Sequence, residues 1–438
     1  MRFYSTNSPS IFTSLGDAIM KSLPEDNGLF MPETIPALSP EFFNNIERSS
    51  FSEIAFEVAK QYLSPDLSLE EIRTITDDAI NFPVPLVALE EGTFMLELFH
   101  GPTLAFKDVG ARFMSRTMAL LNKNQSKKLT ILVATSGDTG SAVANGFYKV
   151  EGIDVIILYP SGKVSPLQEK QLTTLGENIT ALEVNGTFDD CQRMVKQAFL
   201  DASLREKYRL SSANSINIAR LIPQSFYYID AYRQLKDKTS PFYFSVPSGN
   251  FGNLTAGLLA KSMGLPVSGF IASTNVNNSV PRYLSTGNYQ PSETIATISN
   301  AMDVGAPSNF ARMLDLYSHS IDELRQDLWS VSVSDEETIE AIQEVVAGGA
   351  PMTASIARKV MFFFNQQATQ QNNKDVLSAR EQDVLKGLIE GFSYKMIAAH
   401  LNISVETVRT YIKRIYDKMH VNSMTEAVAK ALKEKWFG

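Results

Sequence analysis

Between residues 94 and 275, five short apolar runs alternate with helix-length stretches: Leu129–Ala134, Asp154–Tyr159, Ile179–Val184, Phe242–Val246 and Gly269–Ala272. Parallel strands need a crossover between them, and the crossover is usually a helix. This alternation therefore predicts an α/β fold with a parallel-sheet core flanked by helices. Open sheets of this kind bind ligands beyond the carboxyl ends of their strands, and the most distinctive loops here follow strand ends. The chain has 438 residues, 44% hydrophobic and 20% charged, which is enough for two or three domains and a sizeable core. Residues 1–90 mix short helical patterns with turns and carry no chemistry that can be named.

Three segments inside the alternating region carry chemistry. In Phe99-His100-Gly101-Pro102-Thr103-Leu104-Ala105-Phe106-Lys107-Asp108, one lysine sits in apolar, turn-rich surroundings. Burial disfavours an ammonium, and a neutral amine can form a Schiff base with an aldehyde cofactor. On chemistry alone, the commoner reading of Lys107 is a partly buried lysine paired with Asp108. Thr135-Ser136-Gly137-Asp138-Thr139-Gly140 follows the run Leu129–Ala134 and precedes a helical pattern. Amide groups at a helix start attract anions such as a carboxylate, although glycine turns between strand and helix are common. Ser248-Gly249-Asn250-Phe251-Gly252-Asn253 repeats the arrangement before a helix read from Leu254 to Met263, and suits a phosphate. A lysine, a carboxylate seat and a phosphate seat together fit pyridoxal 5'-phosphate.

The motifs FHGPTLAFKD, TSGDTG, SPLQEKQ, NSINIAR, PSGNFGN and SNAMDVG, with the opening Asn27-Gly28-Leu29-Phe30-Met31-Pro32, resemble those of bacterial threonine synthases from residue 1 to about 345. The resemblance implies a fold-type-II pyridoxal-phosphate enzyme. It implies a carbon–oxygen lyase acting on a phosphate ester, which turns O-phospho-L-homoserine and water into L-threonine and phosphate. By the same resemblance, Lys107 is the Schiff-base lysine and Asp138 lies near the cofactor's 3-hydroxyl. Gly249, Asn250, Phe251, Gly252 and Asn253 form the cofactor-phosphate loop. Thr135, Ser136 and Thr139 meet the substrate carboxylate, and Ser215 and Arg220 hold the substrate phosphate. Without the resemblance, Arg220 reads as a surface ion pair and His100 as a loop-stabilising residue. The family also has a C-terminal segment with a Thr-Ala-His-Pro motif, whose threonine approaches the cofactor's ring nitrogen. Residues 346–438 contain no such motif.

Charge divides the chain. Residues 346–438 hold 13 Lys and Arg against 8 Asp and Glu, leaving 27 against 40 upstream, with −8 overall. An acidic body with a basic appendage suggests two jobs, and only the appendage would be drawn to nucleic acid. Residues 365–375, NQQATQQNNKD, read as a linker. Four short helices are expected after it. Ser378 with Glu381 and Ser423 with Glu426 fit capping boxes, Gly391 fits a helix end, Ser393 and Ser404 fit helix starts, and Asn402 fits a tight turn. In the third helix Val405, Val408, Ile412, Ile415 and Met419 make one apolar face, with Glu406, Arg409, Thr410 and Lys413 opposite. A solvated face is the commoner cause of such a pattern; a major groove is the other.

The tail resembles the LuxR/NarL-type helix-turn-helix, and AGGAPMTASIARKVMFFF resembles the linker that precedes that module in response regulators. The resemblance implies binding of duplex DNA through Arg409, Thr410 and Lys413, with Met424 and Tyr411 departing from the family's usual arginine and histidine. The expected organisation is 1–90, an N-terminal region; 91–345, a C-terminally shortened catalytic region; 346–375, a linker; and 376–438, the helix-turn-helix. No run approaches the ~20 apolar residues of a membrane helix, and Cys191 is the sole cysteine. A cytoplasmic protein is expected, with no metal and no membrane partner. Two other functions stay open at this point: a transcription regulator whose enzyme-like body senses a metabolite, and a chimera without activity.

Overall fold

The computed structural model describes residues 1–346, 378–389, 392–401 and 403–419. The chain divides into two compact units, Met1–Ile339 and Glu340–Gly438.

The first unit is built on two parallel sheets. One has the strand order β8-β7-β6-β9, where β6 is Leu129–Ala134, β7 Ile153–Pro160, β8 Ile179–Val184 and β9 Arg209–Ser212. Its register pairs Leu129 with Ile153 and Val155 with Ile179. All six residues of β6 are buried. Helices cover both faces, so the strand reads as a continuous apolar run and not as an alternating one. The other sheet has the order β10-β11-β12, from Tyr243–Pro247, Gly269–Thr274 and Leu328–Ser332. The alternation predicted one parallel sheet. The last two apolar runs instead belong to the second sheet, and β9 and β12 are strands that the pattern did not announce.

The N-terminal region also departs from expectation. It contains a three-stranded antiparallel sheet of order β2-β1-β3, from Arg2–Ser5, Ser8–Ser14 and Phe30–Pro32. Most of β2 is exposed, so no apolar alternation marks it. A further hairpin joins β4, Leu86–Glu90, to β5, Thr93–Leu96. Two helices here, Phe51–Leu63 and Leu69–Ala79, start on Ser–Glu capping boxes, Ser50 with Glu53 and Ser68 with Glu71. Their buried faces, through Ile54, Val58, Tyr62 and Ile72, merge with those of the central sheet into one core. Helix Lys107–Asn122 crosses helix Asp138–Phe147 closely. A Cβ on Gly146 would stand 3.0 Å from the backbone of Ala111, so a side chain there would push the two helices apart by a few tenths of an ångström.

The second unit has helices Ala379–Ile389, Tyr394–Leu401 and Val405–Met419 around its own apolar cluster, which includes Val384, Leu385, Ile397, Val408, Ile412 and Ile415. The expected starts are present. The Ser378 amide donates to Glu381 at 2.8 Å, the Glu381 amide donates back to Ser378, and the Thr407 amide donates to Ser404 Oγ at 3.0 Å. The expected features at Gly391, Asn402 and the Ser423–Glu426 box, with the fourth helix, Met424 and the linker, lie outside the described residues. Among the described residues no helix is long and apolar enough to cross a membrane.

Candidate active site

Lys107 is the first residue of helix Lys107–Asn122, entered from Phe106 without a side-chain cap. Its side chain is 20% exposed, and its Nζ stands 3.5 Å from Asp138 Oδ2. Burial lowers the pKa of the ammonium; Asp138 works against that, and the guanidinium of Arg220 works with it. The alternative partner, Asp108, points elsewhere. It accepts from the Thr103 amide at 2.9 Å and the Thr103 hydroxyl at 2.5 Å, and so shapes the turn before the lysine. His100 bonds Glu97 at 2.7 Å beside Phe99, in keeping with a loop-stabilising role.

The TSGDTG loop leaves the carboxyl end of β6. Gly137, at φ 141°, precedes helix Asp138–Phe147 and offers no side-chain cap, which leaves the amides of Asp138 and Thr139 without intrahelical partners. Ser136 is exposed, and Asp138 and Thr139 are half-buried. Thr135 is placed differently from the expectation. It is buried, and its hydroxyl donates to the Gly137 carbonyl while accepting from the Gly137 and Gly140 amides, at 2.9 and 2.8 Å. One donor and two acceptor positions exhaust a hydroxyl. Thr135 thus offers a carboxylate a shaped loop, not a hydroxyl of its own.

Gln168, in the SPLQEKQ motif, was given no role by the sequence. Its Nε2 donates to Asp138 Oδ1 at 2.6 Å, and a Cβ on Gly137 would stand 2.5 Å from its side chain. It therefore orients the carboxylate that faces Lys107.

The second glycine loop leaves β10 and enters helix Gly252–Ser262 through Phe251, a buried residue at φ 59° in the left-handed region. Asn250 ties three segments together: its Nδ2 donates to Ser215 Oγ at 2.7 Å, and its Oδ1 accepts from the Ser308 amide and hydroxyl. Gly249 is pressed against the SNAMDVG segment, where a Cβ would come within 2.7 Å of Met302 Cα. Gly252 faces Asn309 and Ser215. Asn253 braces the loop by donating from Nδ2 to the Pro247 carbonyl.

Arg220 is no surface ion pair. It is 3% exposed and lies against Gly110 of the lysine helix, with Nη1 on the Ala213 carbonyl at 2.6 Å. Its Nε is buried without a hydrogen-bond partner, and among the described residues it forms no direct ion pair, Asp108 acting on it only from longer range. Burial brings its pKa down to about 10. An under-partnered buried guanidinium suits a ligand anion. A neutralisable lysine against a carboxylate, with two helix starts whose first two amides lack intrahelical partners and a buried arginine in no direct ion pair, fits pyridoxal phosphate.

In the second unit, Arg409, Thr410 and Lys413 are all exposed on helix Val405–Met419. Arg409 pairs with Glu406 at 3.2 Å, and the Thr410 hydroxyl donates to the Glu406 carbonyl.

The class is given by the match of residues 81–377 to the family model for pyridoxal-phosphate dependent enzymes. Residues 2–80 match the threonine synthase N terminus, and residues 375–431 match bacterial regulatory proteins of the luxR family. The threonine synthase of Haemophilus influenzae is 47% identical over 350 residues, covering 80% of this chain and 81% of that protein. The crystal structure of threonine synthase from Escherichia coli superposes with a TM-score of 0.75 at 43% identity, over 82% of this chain and 84% of that one. The pyridoxal-phosphate-bound threonine synthase of Brucella melitensis gives 0.75 at 32% identity, over 82% and 85%. The chain belongs to the threonine synthase family, and it carries a luxR-family module at its C-terminal end.

Proposed function

We propose that the first unit converts O-phospho-L-homoserine and water to L-threonine and phosphate, and that the C-terminal module binds duplex DNA. The observation that carries the first half is the 3.5 Å pair of Lys107 and Asp138, set in one site with a buried Arg220 that forms no direct ion pair among the described residues. When bound, pyridoxal phosphate supplies the electron sink that this chemistry needs. Lys107 would hold the cofactor's aldehyde, with Gly249 to Asn253 around its phosphate and Asp138 near its 3-hydroxyl. Released, the amine of Lys107 would move protons at the substrate's α and β carbons, a task that a lowered pKa favours. Ser136, Thr139 and the Asp138 and Thr139 amides of the loop that Thr135 shapes would seat the substrate carboxylate at the start of helix Asp138–Phe147. Ser215 and Arg220 would hold the substrate phosphate until it leaves. Arg409, Thr410 and Lys413 would face the DNA.

The relatives are named as enzymes, and this favours catalysis over a body that only senses a metabolite. The test is release of phosphate from O-phospho-L-homoserine by the purified chain, with threonine identified as the product. Phosphate release without threonine, or no release at any enzyme concentration, would remove this assignment.

A further inference from the structure

Asn309 and Arg312, one helical turn apart, were singled out by nothing in the sequence. Both are 0% exposed. The Arg312 guanidinium donates to the carbonyls of Phe30, Ser215 and Ile216, at 3.2, 3.3 and 2.7 Å, and to Asn309 Oδ1 at 2.8 Å. A guanidinium only donates, so it fixes which end of the amide faces it: oxygen toward Arg312, nitrogen away. The nitrogen so turned faces the second glycine loop. A Cβ built on Gly252 would stand 3.2 Å from Asn309 Nδ2, and that Nδ2 is buried with no hydrogen-bond partner.

Two independent features therefore converge on one spot. The helix Gly252–Ser262 begins there without a cap from Phe251; the Leu254 amide is taken by Asn253 Oδ1 at 2.9 Å, and the amides of Gly252 and Asn253 lack intrahelical partners. Beside them a buried amide donor, rigidly aimed, also lacks an acceptor. Buried donors are almost always satisfied, and an exception at the rim of a ligand seat is explained by the ligand. Behind both sits the buried cation of Arg312, which among the described residues forms no direct ion pair and feels Asp315 only at longer range, so an anion in front of it is favoured.

We propose that Asn309, aligned by Arg312, is a phosphate-binding residue whose Nδ2 meets, from the side of Gly252, the phosphate monoester seated at the start of helix Gly252–Ser262. This rests on the reading of the body as a pyridoxal-phosphate enzyme. The cofactor and the substrate both carry such a phosphate, so the experiment has an arm for each.

The full chain is compared with Asn309→Ala and Asn309→Asp, the latter keeping its size and an oxygen for Arg312. In the first arm the apo-protein is titrated with pyridoxal phosphate and, separately, with pyridoxal, which lacks the phosphate. In the second arm the pyridoxal-phosphate-loaded protein is titrated with inorganic phosphate. The expected result is a loss of about tenfold for the alanine variant, and more for the aspartate, confined to phosphate-bearing probes in one arm, with pyridoxal unchanged. Loss in the first arm assigns the cofactor's phosphate and loss in the second the substrate's. Unchanged binding of every probe overturns the inference, and so does equal weakening of pyridoxal and pyridoxal phosphate, since a residue that only supports the fold moves both. If the unaltered chain takes up neither aldehyde, the underlying enzyme reading fails with it; if only the variants fail to respond, the role of Asn309 alone is lost.

Discussion

At the scale of single residues, the site is a contest over one proton. Burial and Arg220 lower the pKa of Lys107, and Asp138 raises it. Asp138→Asn removes the only influence acting upward, so the pKa should fall further and the neutral amine should appear at lower pH. The pH midpoint for capture of pyridoxal phosphate, followed by visible absorbance, should move to lower pH; a midpoint that rises contradicts the pairing. Lys107→Ala should abolish the adduct that borohydride fixes to the chain, and survival of the same adduct reassigns the lysine. Arg220→Ala should weaken O-phospho-L-homoserine by about 1.5–3 kcal/mol, the worth of a charged hydrogen bond, while sparing an analogue without phosphate. Equal losses in KM for both would take Arg220 out of the phosphate site.

At the scale of elements, the two glycine loops depend on what presses against them. Gly249→Ala places a Cβ 2.7 Å from Met302 Cα, a backbone atom that cannot swing aside. We expect a loss of about 1–3 kcal/mol, as for other overpacked positions, and weaker uptake of pyridoxal phosphate. Thermal unfolding and cofactor titration check both, and an unchanged protein means the SNAMDVG segment yields easily. Local chemistry made part of this legible in advance. β6 and β8 have the limits read from their apolar runs, and the starts at Ser378 and Ser404 follow from side chains that reach only three residues along the chain. The exposed β2 carries no periodic signal, and β9 and β12 are strands only because the sheets beside them supply partners. Gln168 reaches Asp138 across 30 residues, and Arg312 reaches Phe30 across 282. No spacing rule spans such distances, so their roles become visible only in three dimensions.

At the scale of the molecule, the acidic body and basic tail should behave separately in salt. DNA binding by the full chain should weaken steeply as salt rises, because Lys and Arg displace counterions from phosphates. Arg409→Ala and Lys413→Ala should each reduce affinity and flatten that dependence, in a fluorescence-anisotropy titration across salt concentrations. The surface pair of Arg409 with Glu406 is too weak to prevent this. Binding that ignores salt counts against a DNA-reading module. For the body, the Thr-Ala-His-Pro motif that the resemblance leads one to expect, with its threonine at the ring nitrogen, does not occur in residues 346–438. Turnover should therefore lie about three orders of magnitude below that of the Haemophilus relative, equivalent to ~4 kcal/mol of lost positioning. Phosphate release measured side by side decides it, and comparable turnover would show that another group serves the ring nitrogen.

The amide of Asn250 joins Ser215 to Ser308, and Arg312 joins that neighbourhood to Phe30. The ligand seat is thus a knot tied from strands of chain that leave the ribosome far apart in time. Such long-range closures come late in folding, after the loop entropy between them has been overcome. A nascent chain that has emerged only through residue 300 holds the lysine, both glycine loops and Arg220, yet lacks Ser308, Asn309 and Arg312. Uptake of pyridoxal phosphate should begin only once synthesis has passed Arg312, so that the cofactor marks a chain in which this knot is tied.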